Sequence, residues 1–74
     1  MEHLTDEVIK DLKRDELLNH LYDTEVEIFS IKFSFTHDGI PDNSEVREYM
    51  TSELKRLEDL HDRLMVEVYN RSKD

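Results

Sequence analysis

Apolar positions in this 74-residue chain recur mostly at helical intervals and separate by phase into three segments. The last is the clearest. Val46, Met50, Leu54, Leu57, Leu60, His61, Leu64 and Val68 fall within a sector of roughly 120° on a helical wheel, the width of a core-facing stripe. This predicts one long amphipathic helix over 43–71 with a single apolar face. Pro41-Asp42-Asn43-Ser44-Glu45 marks its start, with Asp42 as N-cap and Glu45 completing a capping box. Asp59/Arg63 and Glu67/Arg71 are i,i+4 pairs in the favourable order.

The first segment opens on Leu4-Thr5-Asp6-Glu7-Val8-Ile9. Thr5 is an N-cap, acidic residues fill the first turn, and Leu4 is placed to staple onto Ile9. A short helix over 6–14 follows. Its apolar residues Val8, Ile9 and Leu12 lose phase with what comes next, and Lys13-Arg14-Asp15-Glu16 is entirely charged. A bend or short break is expected near 13–15.

The middle segment, 15–38, carries a conflict. Ile31 to Thr36 alternates apolar and polar residues like a half-buried strand, and Asp38-Gly39 suits a hairpin turn. Against this, Leu17, Leu21, Thr24, Ile28, Ile31 and Phe35 keep an unbroken 4-3-4-3-4 spacing, a coiled-coil-like seam. With Gly39 as the left-handed residue past a helix end, Phe35 and Ile40 become the apolar pair of a Schellman cap, and Pro41 follows where a helix cannot continue. The residues after Gly39 supply no second strand. The expected fold is therefore all-α: a long helix, a turn over 39–42, and a second long helix returning antiparallel, with the short N-terminal helix ahead of them.

The middle helix has two apolar faces. Leu18, Tyr22, Val26, Phe29 and Phe33 form a stripe centred roughly 140° from the Leu17–Phe35 seam. A hairpin covers only one of the two. The stripe must pack against helix 6–14 folded back, against a second copy, or against a foreign protein. Helix 6–14 offers three or four apolar residues against five large ones, which favours a second chain and a dimeric helical bundle. A chain of this length buries little surface by itself, so association also has a thermodynamic motive.

Composition narrows the function. Nineteen acidic residues against ten basic give a net charge of −9, which disfavours direct nucleic-acid binding, a process driven by Lys and Arg neutralisation of phosphates. The surplus is uneven: residues 1–38 carry ten acidic and four basic groups, and 39–74 carry nine and six. There is no cysteine, hence no disulfide framework, thiolate metal site or thiol nucleophile. No apolar run approaches the ~18 residues of a membrane span, and the N-terminus lacks the pattern of a secretory signal. A cytoplasmic location without membrane contact is the expectation.

Candidate chemistry is sparse. With one glycine there is no phosphate-cradling loop, and no nucleophile triad or HExxH appears, so enzymatic activity and a cofactor are not expected. Glu58 and His61 form an E-x-x-H, the kernel of carboxylate-bridged metal sites in helical bundles. Glu58 lies roughly 100° from the centre of its helix's apolar stripe, poor geometry for an inward-facing ligand. Glu16, Asp23 and Glu27 make an acidic row on the face opposite the junction of the two apolar stripes. Such a row is either a solvated face or a mimic of a nucleic-acid backbone that occupies a basic groove.

Leu60-His61-Asp62-Arg63-Leu64-Met65, followed by Val-Glu-Val, resembles the small helical-hairpin aspartyl-phosphate phosphatases of sporulation control over about a dozen residues. That family's Ser-Gln-Glu-Leu-Asp core is absent. The stretch reads Glu58-Asp59-Leu60-His61-Asp62, with only the last Asp retained, and the activity is not carried over. The expected function is that of a small acidic, homodimeric protein–protein interaction module, acting stoichiometrically as a regulator, adaptor or inhibitor, of a kind suited to a phage or mobile element.

Overall fold

A computed structural model describes residues 4–37 and 45–73. Within them the chain is all-helical: α1 spans Asp6–Asp11, α2 Arg14–His37 and α3 Glu45–Ser72. The two long helices pack against each other and α1 packs against α3, giving an elongated molecule of 47 × 19 × 18 Å. The turn over 39–42, the Gly39/Ile40 cap, the Asp42 N-cap and the start of the last helix at 43 lie outside the described residues.

α1 begins as its sequence dictates. Thr5 is extended (φ −78°, ψ 165°), and its hydroxyl accepts a hydrogen bond from the Val8 amide, the N-cap that satisfies one otherwise unpaired donor. The helix stops at Asp11, three residues before the boundary at 14 expected from sequence. Leu12 turns extended (φ −66°, ψ 139°) while its amide still reaches the Ile9 carbonyl. The break falls here because the charged run after it starts a helix of its own. The Glu16 carboxylate accepts the Lys13 amide at 2.9 Å, and the Lys13 carbonyl accepts the Leu17 amide, half of a reciprocal capping box.

α2 runs without interruption through the strand-like stretch Ile31–Thr36. Its β-branched and aromatic residues are held in helix by the heptad seam: Leu17, Leu21 and Thr24 are buried, and Ile28, Ile31 and Phe35 are half-buried. Thr24 carries the one polar group in the buried seam, and its hydroxyl donates to the His20 carbonyl at 2.6 Å, so the position carries no unmet polar demand. Near the helix end, the Thr36 hydroxyl donates to the Lys32 carbonyl. The Arg47 guanidinium, in the first turn of α3, lies 4.8 Å from the centroid of the Phe35 ring.

The core lies towards one end of the molecule. Ile9, Leu17, Leu21 and Leu64 form its buried cluster, with Leu4, Leu12, Leu60 and Val68 packed around them. Leu4 thus joins Ile9 in one cluster, as the staple requires. This is where α1 adds a third layer. On α3, Leu57 and Leu64 are buried and Met50, Leu54, Leu60, His61 and Val68 partly so. Val46, assigned by periodicity to the same face, is 59% exposed.

Candidate functional site

Nothing within the described residues covers the second stripe of α2. Leu18, Tyr22, Val26, Phe29 and Phe33 are between 45% and 68% exposed, although they share a helix with a seam whose buried members are 7% exposed or less. α1 does not fold back over them. It sits on α3, where Ile9 enters the core and two arginines hold its backbone. Arg63 donates to the Leu4 carbonyl at 2.9 Å. Arg71 Nη2 reaches the carbonyls of Ile9, Lys10 and Leu12 at 3.3, 3.3 and 2.7 Å, at the helix C-terminus where carbonyls lack intrahelical i+4 partners.

The aromatic part of the stripe makes ring–ring contacts along the helix. The Phe29 and Phe33 rings are 6.2 Å apart and tilted by 33°, and the Phe33 ring stacks on the His37 imidazole at 3.9 Å and 10°. His37 Nδ1 lies 3.1 Å from the Phe33 carbonyl. His37 thereby extends the stripe by one turn. Sequence reading missed it because an imidazole does not register as apolar, though its spacing of four from Phe33 was the available signal. The remaining exposed apolar residues of α3, among them Tyr49, Val66 and Tyr69, do not make a comparable run on one face, and scattered exposures of this kind are ordinary.

No protein-family model, curated protein or solved structure matches this chain. The likeness at Leu60–Met65 stays confined to those residues, and the surface must be read from its own chemistry.

A charged margin runs along the junction between seam and stripe. Glu25 Oε1 is 3.1 Å from His61 Nε2, and Lys32 Nζ is 3.7 Å from Glu58 Oε2. These four side chains, with Ile28 and Phe29, line a shallow cleft between α2 and α3. The E-x-x-H pair is therefore divided: Glu58 faces a lysine, and His61 faces a different carboxylate. Among the described residues no group of three or more His, Asp or Glu side chains is placed to hold a metal ion. No described helix is long and apolar enough to cross a membrane.

The acidic row is exposed at all three positions, but its members have separate local surroundings. Glu16 caps α2 through the Lys13 amide. Glu27 and Asp23 line a groove with Arg56. Arg56 is bound by Glu53 through two hydrogen bonds, of 3.2 and 2.8 Å. The Arg56 hydrogen bond holds the Glu53 carboxyl below its ordinary value, against the opposing effect of desolvation, with the Arg56 charge assisting. The same bond raises Arg56, which the charges of Glu53 and Glu27 support further. Because the folded-state pKa of Glu53 is depressed, its contribution is present above the ordinary carboxylate range and is lost as pH falls through the lowered value. In an NMR titration Glu53 is expected to protonate at lower pH than a free glutamate, and Arg56→Gln should return it to the ordinary value. Unchanged titration in that variant would show the pair to be unimportant in solution.

Proposed function

We propose that this chain is a small acidic protein–protein interaction module: an antiparallel helical hairpin that self-associates into a dimeric bundle and acts stoichiometrically as a regulator, adaptor or inhibitor. The observation that carries the reading is the uncovered stripe from Leu18 to Phe33. Those exposures, applied to side chains that bury up to ~150–250 Å² when aromatic, correspond to roughly 500 Å² of apolar surface. Monomers rarely leave a larger contiguous patch than this without a use for it. The ring contacts of Phe29 with Phe33 and of Phe33 with His37 support the same reading, since they join these side chains into one contiguous exposed patch.

The antiparallel arrangement is supported by the order of the interhelical ion pairs. Glu25 meets His61 and Lys32 meets Glu58, so positions advance along α2 as they recede along α3. The alternative in which the acidic row mimics a nucleic acid has less behind it, because Glu16 caps α2 through the Lys13 amide and Glu27 shares a groove with Arg56.

Sedimentation equilibrium at micromolar concentration tests the proposal. The expected result is a dimer for the native chain and a monomer, weakened in association by at least ~100-fold, for Phe29→Glu combined with Phe33→Glu. Asp23→Asn with Glu27→Gln should leave the dimer intact. Circular dichroism must show the double glutamate variant still helical, as expected for substitutions at exposed sites. A native chain that remains monomeric across the concentration range would defeat the proposal.

A further inference from the structure

We infer that the occupant of the stripe is the same stripe of a second copy, docked α2 against α2 in antiparallel orientation about a two-fold axis passing between Val26 and Phe29. The inference rests on the self-association proposed above and specifies its geometry. With His37 included, the exposed positions are 18, 22, 26, 29, 33 and 37, a 4-4-3-4-4 spacing that reads the same in both directions. An isologous contact requires a self-complementary surface, and this one qualifies. In the antiparallel register Val26 stands level with the partner's Phe29, Tyr22 with the partner's Phe33, and Leu18 with the partner's His37. The smallest residue of the stripe thus meets a phenylalanine nearest the axis, whereas a parallel pairing would set Phe29 and Phe33 each against its own copy.

Charge selects the same orientation. Glu25 and Lys32 lie on one flank of the stripe, at the junction with the seam, roughly 60–80° from the stripe's centre; each also pairs within the chain, with His61 and Glu58, and more than half of each side chain stays exposed. A two-fold axis perpendicular to antiparallel helices brings like flanks together with heights inverted. Lys32 of one copy then lies within roughly 3 Å, along the axis, of the partner's Glu25, and the contact occurs twice. A parallel pair would instead turn Glu25 towards the flank bearing Asp23. The acidic row sits roughly 120° from the stripe's centre on the other flank, so the two rows share one side of the dimer and point away from the contact. The area is adequate: roughly 500 Å² from each copy reaches about 1,000 Å², the lower bound for a specific interface.

The period gives a further reason for a separate docking geometry. Leu18 to Phe29 and Tyr22 to Phe33 are each eleven residues apart, whereas the inner seam repeats every seven. An 11-residue repeat drifts in the opposite sense to a heptad around the helix. The outer contact is therefore suited to a different crossing from that of α2 with α3, and is not an extension of the hairpin's own packing.

The chain has no cysteine, so single spin labels can be placed at the exposed sites Asn19→Cys, Ser30→Cys and Thr36→Cys. Double electron–electron resonance then measures label-to-label separation across the axis in each singly labelled protein. At 1.5 Å rise per residue, the Asn19 and Thr36 pairs are each offset by roughly 25 Å along the helix and the Ser30 pair by roughly 8 Å. The expected result is a short Ser30 distance with both of the others longer by more than 10 Å, in labelled proteins that sediment as dimers and keep native circular dichroism. Three similar distances would indicate a parallel pair and overturn the inference, as would a dimer that survives Phe29→Glu with Phe33→Glu. Those outcomes leave self-association standing. A monomer in sedimentation would remove both the geometry and the reading beneath it.

Discussion

Leu64→Ala is expected to destabilise the chain by about 2–5 kcal/mol, the range for truncating a fully buried leucine. Leu64 is the most completely enclosed side chain described, with no exposed surface, and it is where all three helices meet: Ile9 from α1 and Leu17 and Leu21 from α2 share its cluster. A domain of this length has roughly 4–11 kcal/mol of total stability, so the loss consumes a large fraction of it. Val46→Ala is the informative control. Val46 and Leu64 are eighteen residues apart, five full turns, and occupy the same angle on the helical wheel. Val46 is nevertheless 59% exposed, and its truncation should cost less than about 0.5 kcal/mol. Urea unfolding at fixed protein concentration, followed by circular dichroism, compares the two. Equal losses would mean that the core extends along the whole of α3 instead of concentrating under α1.

That pair of residues marks how far periodicity reached. The spacing of apolar positions identified the helical character of the chain, the long extent of α2 through Ile31–Thr36, and the face each long helix turns inward, because these depend on the 3.6-residue repeat alone. It could not grade burial along a face. Burial depends on what stands opposite: Leu64 meets Ile9, Leu17 and Leu21, whereas Val46 belongs to no such cluster. The placement of α1 was equally out of reach. Its few apolar residues are compatible with either face of the α2–α3 pair, and the groups that decide are Arg63 and Arg71, read from sequence as partners of Asp59 and Glu67. Both of those local pairs exist. Each arginine has donors to spare, however, and turns them on backbone carbonyls about sixty residues away, a contact that leaves no periodic trace. Of the candidate surface, the five large apolar residues were legible and their exposure was not. The sequence posed helix 6–14 as one possible cover, and only its attachment to α3 removes that possibility from within the chain.

Arg71→Met is expected to release α1 while leaving α2 and α3 paired. The guanidinium reaches the carbonyls of Ile9, Lys10 and Leu12 at the C-terminal end of α1 while its Nε is fixed by Glu67 at 2.7 Å. Its planar array of donors serves several acceptors at once, which a flexible ammonium does not, so Arg71→Lys should restore little of the loss despite preserving the charge. Methionine keeps much of the aliphatic stem and removes the donors. Hydrogen bonds from a charged group contribute about 1.5–3 kcal/mol when buried, and partial exposure of Arg71 places the expected cost in the lower part of that range. A six-residue helix is far below the length at which helices persist alone, so once unlatched α1 should lose its structure altogether. Hydrogen exchange supplies the measurement: the amides of Ile9 and Leu12 should lose protection in Arg71→Met, whereas amides around Leu57 and Thr24 retain it. Undiminished protection at Ile9 would show that its side chain, buried against Leu17, Leu21 and Leu64, holds α1 without the arginine. If the stripe is the dimer surface, sedimentation of this variant should still give a dimer, because α1 packs on α3 while the stripe lies on α2, and the loss of one leaves the other in place.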